Sequence, residues 1–219
     1  MKKGFFLTFE GPDGCGKSTQ AKLMADYLTA QGQNVVLTRE PGGTPLAEMI
    51  RELILTPTAE QLVPMAEILL YAASRAQHVE RLIKPSLAEG KIVVCDRFID
   101  SSLAYQGFGL GRDLRVIKEI NRLAIGDFQP NLTFLLDIDT ETALKRIGGR
   151  TGQTVRATDR IEARNIQYRQ RVRDGFLTIA AAEPRIVTVA TGTKSIADLH
   201  AELLKIVVAE IIRQGGELG

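Results

Sequence analysis

An apolar run, FFLTF at 5–9, ends in a glutamate and passes at once into GPDGCGKST. No other junction in the chain restricts the fold as much. A short apolar run without polar alternation suits a strand covered on both faces. The stretch from 17 onward, KSTQAKLMADYLTAQ, suits a helix. So few residues lie between them that strand, loop and helix must form one tight β–loop–α unit. Gly11, Gly14 and Gly16 let that loop curl with its N–H groups turned inward, because no Cβ blocks the approach.

The rest of the chain repeats the alternation. Further strands are expected at 35–38, 92–95, 132–138 and 186–189. Helices are expected at 17–31, 46–55, 60–87, 114–125, 140–147, 160–182 and 195–212. Apolar strands alternating with helices predict an α/β chain with a doubly wound, five-stranded parallel sheet and helices on both faces. At 219 residues, with no repeat or linker, the chain is expected to be one domain, 1–219, ending in a frayed QGGELG.

Composition closes several routes. The formal net charge is only +2 and aromatics make up 5%, which argues against nucleic acid as a partner. Cys15 and Cys95, with His78 and His200, are too few for a disulfide framework or a zinc site, and a cytoplasmic setting is expected. Glu10 cuts the N-terminal apolar run too short for a signal peptide. No stretch approaches the ~20 apolar residues of a membrane span, so no membrane association is expected.

The loop matches G-x-x-x-x-G-K-[ST] at Gly11, Gly16, Lys17 and Ser18, between strand and helix as that motif requires. Its donors and the helix N-terminus make an anion site. Gly11, Pro12, Asp13, Gly14, Cys15, Gly16, Lys17, Ser18 and Thr19 are therefore expected to cradle the phosphates of ATP. Lys17 would reach the β- and γ-phosphates and Ser18 would ligate Mg²⁺. Cys15 reads as a small loop residue without a redox role.

A second feature is the basic stretch 145–173, with RIGGRTGQTVRATDR at its centre. Glycines and arginines together suggest a mobile lid, about 147–160. Arg150, Arg156 and Arg160 would neutralise the transferring group and exclude water. The arginines from 164 to 173 read instead as a solvated helix face.

The acceptor side is carried by TREPGG, YAASR and DRFIDSSLAYQG, at or beyond the carboxyl ends of strands, where open parallel sheets bind ligands. With FEGPDGCGKST and TDRIE these motifs occur in an order and spacing that resembles the bacterial thymidylate kinases, over about 6–182. The resemblance implies a P-loop nucleotide-kinase fold, transfer of a phosphate from ATP to dTMP, and a homodimer. The apolar faces of 60–87 and 114–125 would supply its interface. It implies roles at matching positions. Asp13 holds the acceptor 3′-hydroxyl. Glu40 and Pro41 form the acceptor entrance through a cis bond. Arg97, with Arg39 or Arg51, grips the acceptor phosphate. Tyr71 stacks on the base, Arg75 and Gln106 read its edge, Ser102 lines the pocket, and Tyr105 packs under the sugar. Because the loop has Gly14 where some relatives place a catalytic arginine, that arginine is expected from the lid.

Much of the chemistry stands on the residues alone. Tyr71 and Arg75 are four apart, as are Ser102 and Gln106, so each pair shares a helix face. Arg75 can donate to thymine O4, and the Gln106 amide oxygen can accept from N3–H. No general base is needed, because a phosphate monoester is largely dianionic near neutral pH. Catalysis then reduces to alignment and charge neutralisation. Asp96, at a strand end, either orients Mg²⁺ through water or pairs with an arginine. His78 reads as structural. Another nucleoside monophosphate kinase is the alternative enzyme. A nucleotide-driven switch is the alternative class, distinguished by phosphate release without an acceptor.

Overall fold

The computed structural model describes residues 4–57, 60–150 and 164–215, with the side chain of Arg150 excepted. The strands are β1 (Phe5–Glu10), β2 (Val35–Arg39), β3 (Ile92–Asp96), β4 (Leu132–Asp137) and β5 (Ile186–Ala190). All pair in parallel in the order β2-β3-β1-β4-β5. The chain builds to one side of β1 first and then crosses to the other. The crevice beyond the carboxyl end of β1 is therefore where the connections diverge.

The helices are α1 (Lys17–Ala30), α2 (Pro45–Leu55), α3 (Pro64–His78), α4 (Lys84–Ala88), α5 (Ile99–Ser102), α6 (Leu114–Ile125), α7 (Thr140–Arg150), α8 (Ile166–Ala182) and α9 (Ile196–Arg213). Alternate residues of the central strands feed two cores. Phe5, Leu7 and Phe9 of β1 pack with Ile92, Val94 and Phe134 against α1 and α9. On the opposite face Phe6, Val93 and Cys95 meet Val79, Ile83, Phe98 and Ile125, while Leu135 meets Leu103, Val172 and Phe176. Every residue of β1 is buried, as its unbroken apolar pattern requires, but the outer strands β2 and β5 are only partly covered. An edge strand has a neighbour on one side alone, which the apolar run could not reveal.

Three helical expectations are corrected. The stretch 60–87 is not one regular helix: it begins at Pro64, and Val79–Ile83 widens into a π-turn before α4. Pro85 lies just beyond and has no N–H for the preceding ladder, which favours a local change of register. The helix expected at 140–147 runs on to Arg150, through Gly148 and Gly149. The one expected from 160 starts at Ile166, where Asn165 Oδ1 accepts the Tyr168 N–H at 2.9 Å as an N-cap. Residues 151–163, including Arg156 and Arg160, lie outside the described residues. No described helix is long and apolar enough to cross a membrane.

Candidate active site

β1 delivers the loop to the crevice and α1 leaves from it. Gly11 has φ +138°, and a Cβ there would stand 2.4 Å from the Leu136 carbonyl oxygen. Gly14 has φ +84°, and a Cβ there would stand 2.8 Å from the Ala143 carbonyl oxygen of α7. Both positions therefore exclude side chains for steric as well as torsional reasons. Lys17 is buried, with Nζ donating to the Pro12 carbonyl at 2.8 Å and resting 3.6 Å from Cys15 Sγ. Cys15 itself is fully buried in the core, as a small loop residue would be. At the rim, Ser18 Oγ donates to Asp96 Oδ2 at 2.5 Å.

Asp96 makes no ion pair among the described residues, so of its two alternatives the pairing with an arginine is not formed there. Its second oxygen, Oδ1, is buried without a hydrogen-bond partner among the described residues. A buried, unpaired carboxylate oxygen beside the loop hydroxyl is the donor arrangement expected of a hard cation bound chiefly through phosphates and water.

A cleft of about 400 Å³ opens from this loop toward the carboxyl ends of β2 and β3. Of the expected loop residues, Asp13, Gly14, Gly16, Lys17, Ser18 and Thr19 line it, while Gly11, Pro12 and Cys15 do not. Glu40, Pro41, Arg51, Tyr71, Arg75, Asp96, Arg97, Ser102, Tyr105 and Gln106 all line the same cleft, with Arg39 at its edge. The sheet thus brings residues from distant segments to one wall.

Arg97 stands between the loop and the rest of the cleft. It takes φ +75°, a left-handed conformation uncommon for a side-chain-bearing residue. Nη1 donates to the Gly11 carbonyl and to Ser101 Oγ, each at 3.1 Å. Nη2 donates to Tyr105 Oη at 3.0 Å and to Asp13. Burial works to raise the Asp13 carboxyl, but Arg97, then Lys17 and Arg169, outweigh it and hold it below the usual range. Burial drives the Tyr105 phenol well above its ordinary value, so Tyr105 stays a donor to Asp13 Oδ2, at 3.1 Å.

The turn after Arg97 is fastened by Glu10, the residue that ends β1. Glu10 Oε1 accepts from the Phe98 N–H at 2.7 Å and the Ser101 N–H at 3.2 Å, and Oε2 from Ser101 Oγ at 2.6 Å. Burial, then the Asp100 carboxylate, push Glu10 up to about 7, against the hydrogen bonds and Arg97. Asp100 in turn holds Arg185 by two bonds, at 2.8 and 2.9 Å. A charge ending an otherwise apolar, buried strand was the available signal for Glu10.

Tyr71 and Arg75 share a face of α3 as their spacing requires, and both meet the cleft. After Ser102 the chain widens into a π-turn, Leu103–Gly109, yet Ser102 and Gln106 still line the cleft. Arg75 is far more committed than expected. Nε donates to Glu40 Oε2 at 2.7 Å, and Nη1 to Ser102 Oγ at 3.0 Å and Asn121 Oδ1 at 2.5 Å. Nη2 donates to the Phe98 carbonyl at 3.2 Å. These four bonds leave one of its five N–H groups for a ligand. Glu40 is likewise turned inward, to Arg75 and to His78 Nδ1 at 3.1 Å, rather than open at an entrance. The Glu40–Pro41 bond is cis. His78 is fully buried against Glu40 and Thr38, a structural residue as expected. Arg51 Nη1 donates to the Pro41 carbonyl at 2.9 Å, while Arg39 is exposed and pairs with Glu48 at 2.8 Å.

Of the arginines from 164 to 173, expected as a solvated helix face, three are fastened to other segments, although Arg171 is itself exposed. Arg173 grips Asp137 through two bonds, at 2.7 and 2.9 Å, and Arg171 donates to the Gly109 carbonyl at 2.8 and 3.1 Å. Arg164 bonds Glu67 at 2.7 Å. Arg164, Arg171 and Arg173 each meet an acceptor on another segment, which charge spacing along the chain could not disclose.

Comparison with known proteins follows the same line. The family model described as thymidylate kinase matches residues 9–203. A thymidylate kinase of Exiguobacterium sibiricum is 50% identical over 92% of this chain and 93% of its own length. One of Citrifermentans bemidjiense is 46% identical over 96% and 92%. The crystal structure of thymidylate kinase from Ehrlichia chaffeensis superposes with a TM-score of 0.74 at 39% identity, covering 94% of this chain and 99% of that one. A phosphate loop at the head of a shared cleft, a matched model over most of the chain and relatives near half identity agree: the chain belongs to the thymidylate kinase family, the enzymes that move a phosphate from ATP to dTMP.

Proposed function

We propose that the chain transfers the γ-phosphate of ATP in line to dTMP, giving dTDP and ADP for dTTP synthesis, as one kinase domain, 1–219, with a lid at about 147–160. One observation carries this reading. The phosphate loop and the Tyr71–Arg75–Gln106 wall open into one cleft, with Arg97 between them. Lys17 and the loop N–H groups hold the donor phosphates. Arg97 and Arg51 hold the acceptor phosphate, Asp13 and Tyr105 the sugar, and Tyr71, Arg75, Ser102 and Gln106 the base. Arg150 and Arg156, from the lid, would shield the transferring group. Ser18 and Asp96 would hold Mg²⁺, whose charge offsets that of the phosphates when it is bound. A cytoplasmic setting fits a dNTP-supplying enzyme.

The reading is tested by ADP release with Mg-ATP and dTMP, dUMP, dCMP, dGMP, dAMP or thymidine, with a control lacking acceptor. The expected order is dTMP first, with dUMP down roughly 10–200-fold because it lacks one methyl group. With dCMP the loss is ~10⁴-fold or more, because buried polar groups are left unpaired. Equal turnover of dCMP and dTMP, or turnover of thymidine, would refute it.

The same reading includes a homodimer. Met49 and Leu53 of α2, Met65 and Leu69 of α3, and Val116 and Leu123 of α6 are exposed, between 42% and 73%. α3 packs against both α2 and α6, so these side chains belong to adjoining helices. Grouped apolar exposure of this kind favours a self-complementary interface. Sedimentation is expected to give a particle about twice the 24.0 kDa chain, and Leu69→Glu with Leu123→Glu to return it to the monomer. A parent protein that sediments as a monomer throughout the micromolar range would remove the dimer.

A further inference from the structure

We propose that Glu67 is a specificity-determining residue: it fixes which end of the Gln106 amide faces the cleft, and through that which pyrimidine edge is accepted. The inference rests on the reading of Gln106 as a base reader and deepens it.

Glu67 lies on α3 at the same four-residue spacing as Tyr71 and Arg75, and is 1% exposed. Its Oε1 accepts from Gln106 Nε2 at 2.9 Å, and its Oε2 from Arg164 Nη2 at 2.7 Å. Arg164 is itself fixed. Its Nη1 bonds Tyr168 Oη at 2.5 Å, and its guanidinium carbon sits 4.6 Å above the Tyr168 ring. Tyr168 Oη in turn donates to the Tyr105 carbonyl at 3.1 Å. Glu67 therefore cannot swing away without breaking a buried ion pair.

A glutamine amide is nearly the same shape in its two orientations but opposite in polarity. Cleft shape alone therefore cannot choose between them. A carboxylate paired with a guanidinium offers acceptors only, so the end of Gln106 turned toward it must be the NH₂. The carbonyl end is left for the cleft, which Gln106 lines. That oxygen accepts from the N3–H of thymine or uracil and repels the bare N3 of cytosine. With the amide reversed, the NH₂ would favour cytosine and oppose thymine. Glu67, without touching the base, sets the sign of the selection.

Glu67→Gln tests this, because a glutamine at 67 can satisfy Gln106 in either orientation. The ratio of kcat/KM for dTMP to that for dCMP is expected to fall at least tenfold, by loss on dTMP and gain on dCMP, with KM for ATP within twofold. An equal loss on every pyrimidine acceptor would mark Glu67 as merely structural and overturn the proposal. Gln106→Met separates the layers. If it leaves the ratio unchanged, Gln106 does not read the base and both readings fall. If it collapses the ratio while Glu67→Gln preserves it, the cleft reading stands and the proposal for Glu67 is lost. Should Glu67→Gln fold poorly, the parent protein decides. The Gln106 NH₂ resonances, identified by their loss in Gln106→Met, are expected to be protected from solvent exchange without nucleotide. Rapid exchange there would overturn the proposal.

Discussion

Replacing Lys17 with alanine is expected to lower kcat for dTMP phosphorylation by ~10³-fold or more, with the protein still folding and melting cooperatively. Lys17 is 5% exposed, held at the loop by the Pro12 carbonyl at 2.8 Å. It is thus already placed where phosphate oxygens would displace that contact, and no large movement is needed to use it. Charge developing on a transferring phosphoryl group in a site shielded from water has few other ways to be met. The structural cost is smaller. The substitution leaves one buried carbonyl without its donor, worth roughly 1–3 kcal/mol. A drop of that size shifts the melting temperature by only a few degrees per kcal/mol in a chain of about this length. Steady-state turnover at saturating substrates, beside a thermal melt, separates the two effects. Near-parental turnover would remove Lys17 from the catalytic group.

Arg97→Ala is expected to lower kcat/KM for dTMP by ~10²–10³-fold and to change KM for ATP less than tenfold, since the proposed charge-assisted contact to the acceptor phosphate would be lost. The split is not perfectly clean, because Arg97 also bonds Gly11 and Asp13 of the donor loop. Without it, Asp13 loses the strongest influence keeping its carboxyl ionised. Some loosening of the loop follows, which is why a modest effect on ATP is included. Measuring KM for each substrate with the other saturating tests the assignment. A rise in KM for ATP as large as the loss on dTMP would place Arg97 on the donor side.

The strand–loop–helix unit, the five strands and most helices were legible because each is a local pattern. An apolar run of five, a glycine-rich turn and a 3.6-residue period all depend on residues within a few positions of one another. The four-residue spacing of Tyr71 and Arg75 predicted their shared face correctly, and extended one step back it would have reached Glu67. The π-turns at Val79–Ile83 and Leu103–Gly109 were not legible, because each is one extra residue absorbed into a helix that still reads as periodic.

Sequence alone therefore determined the phosphate loop motif, the parallel α/β class and many of the residues that line the cleft. Tertiary structure decided how those residues are spent. Arg75, expected to serve the base, gives four of its bonds to Glu40, Ser102, Asn121 and Phe98. Glu10 fastens the turn at Arg97 across 88 and 91 positions of chain, and Arg164 reaches Glu67 across 97. Such pairings join segments that are neighbours only because of the order in which the strands lie and the faces on which the helices pack. Burial then leaves each charge no water to turn to, so it must take the partner that the fold provides.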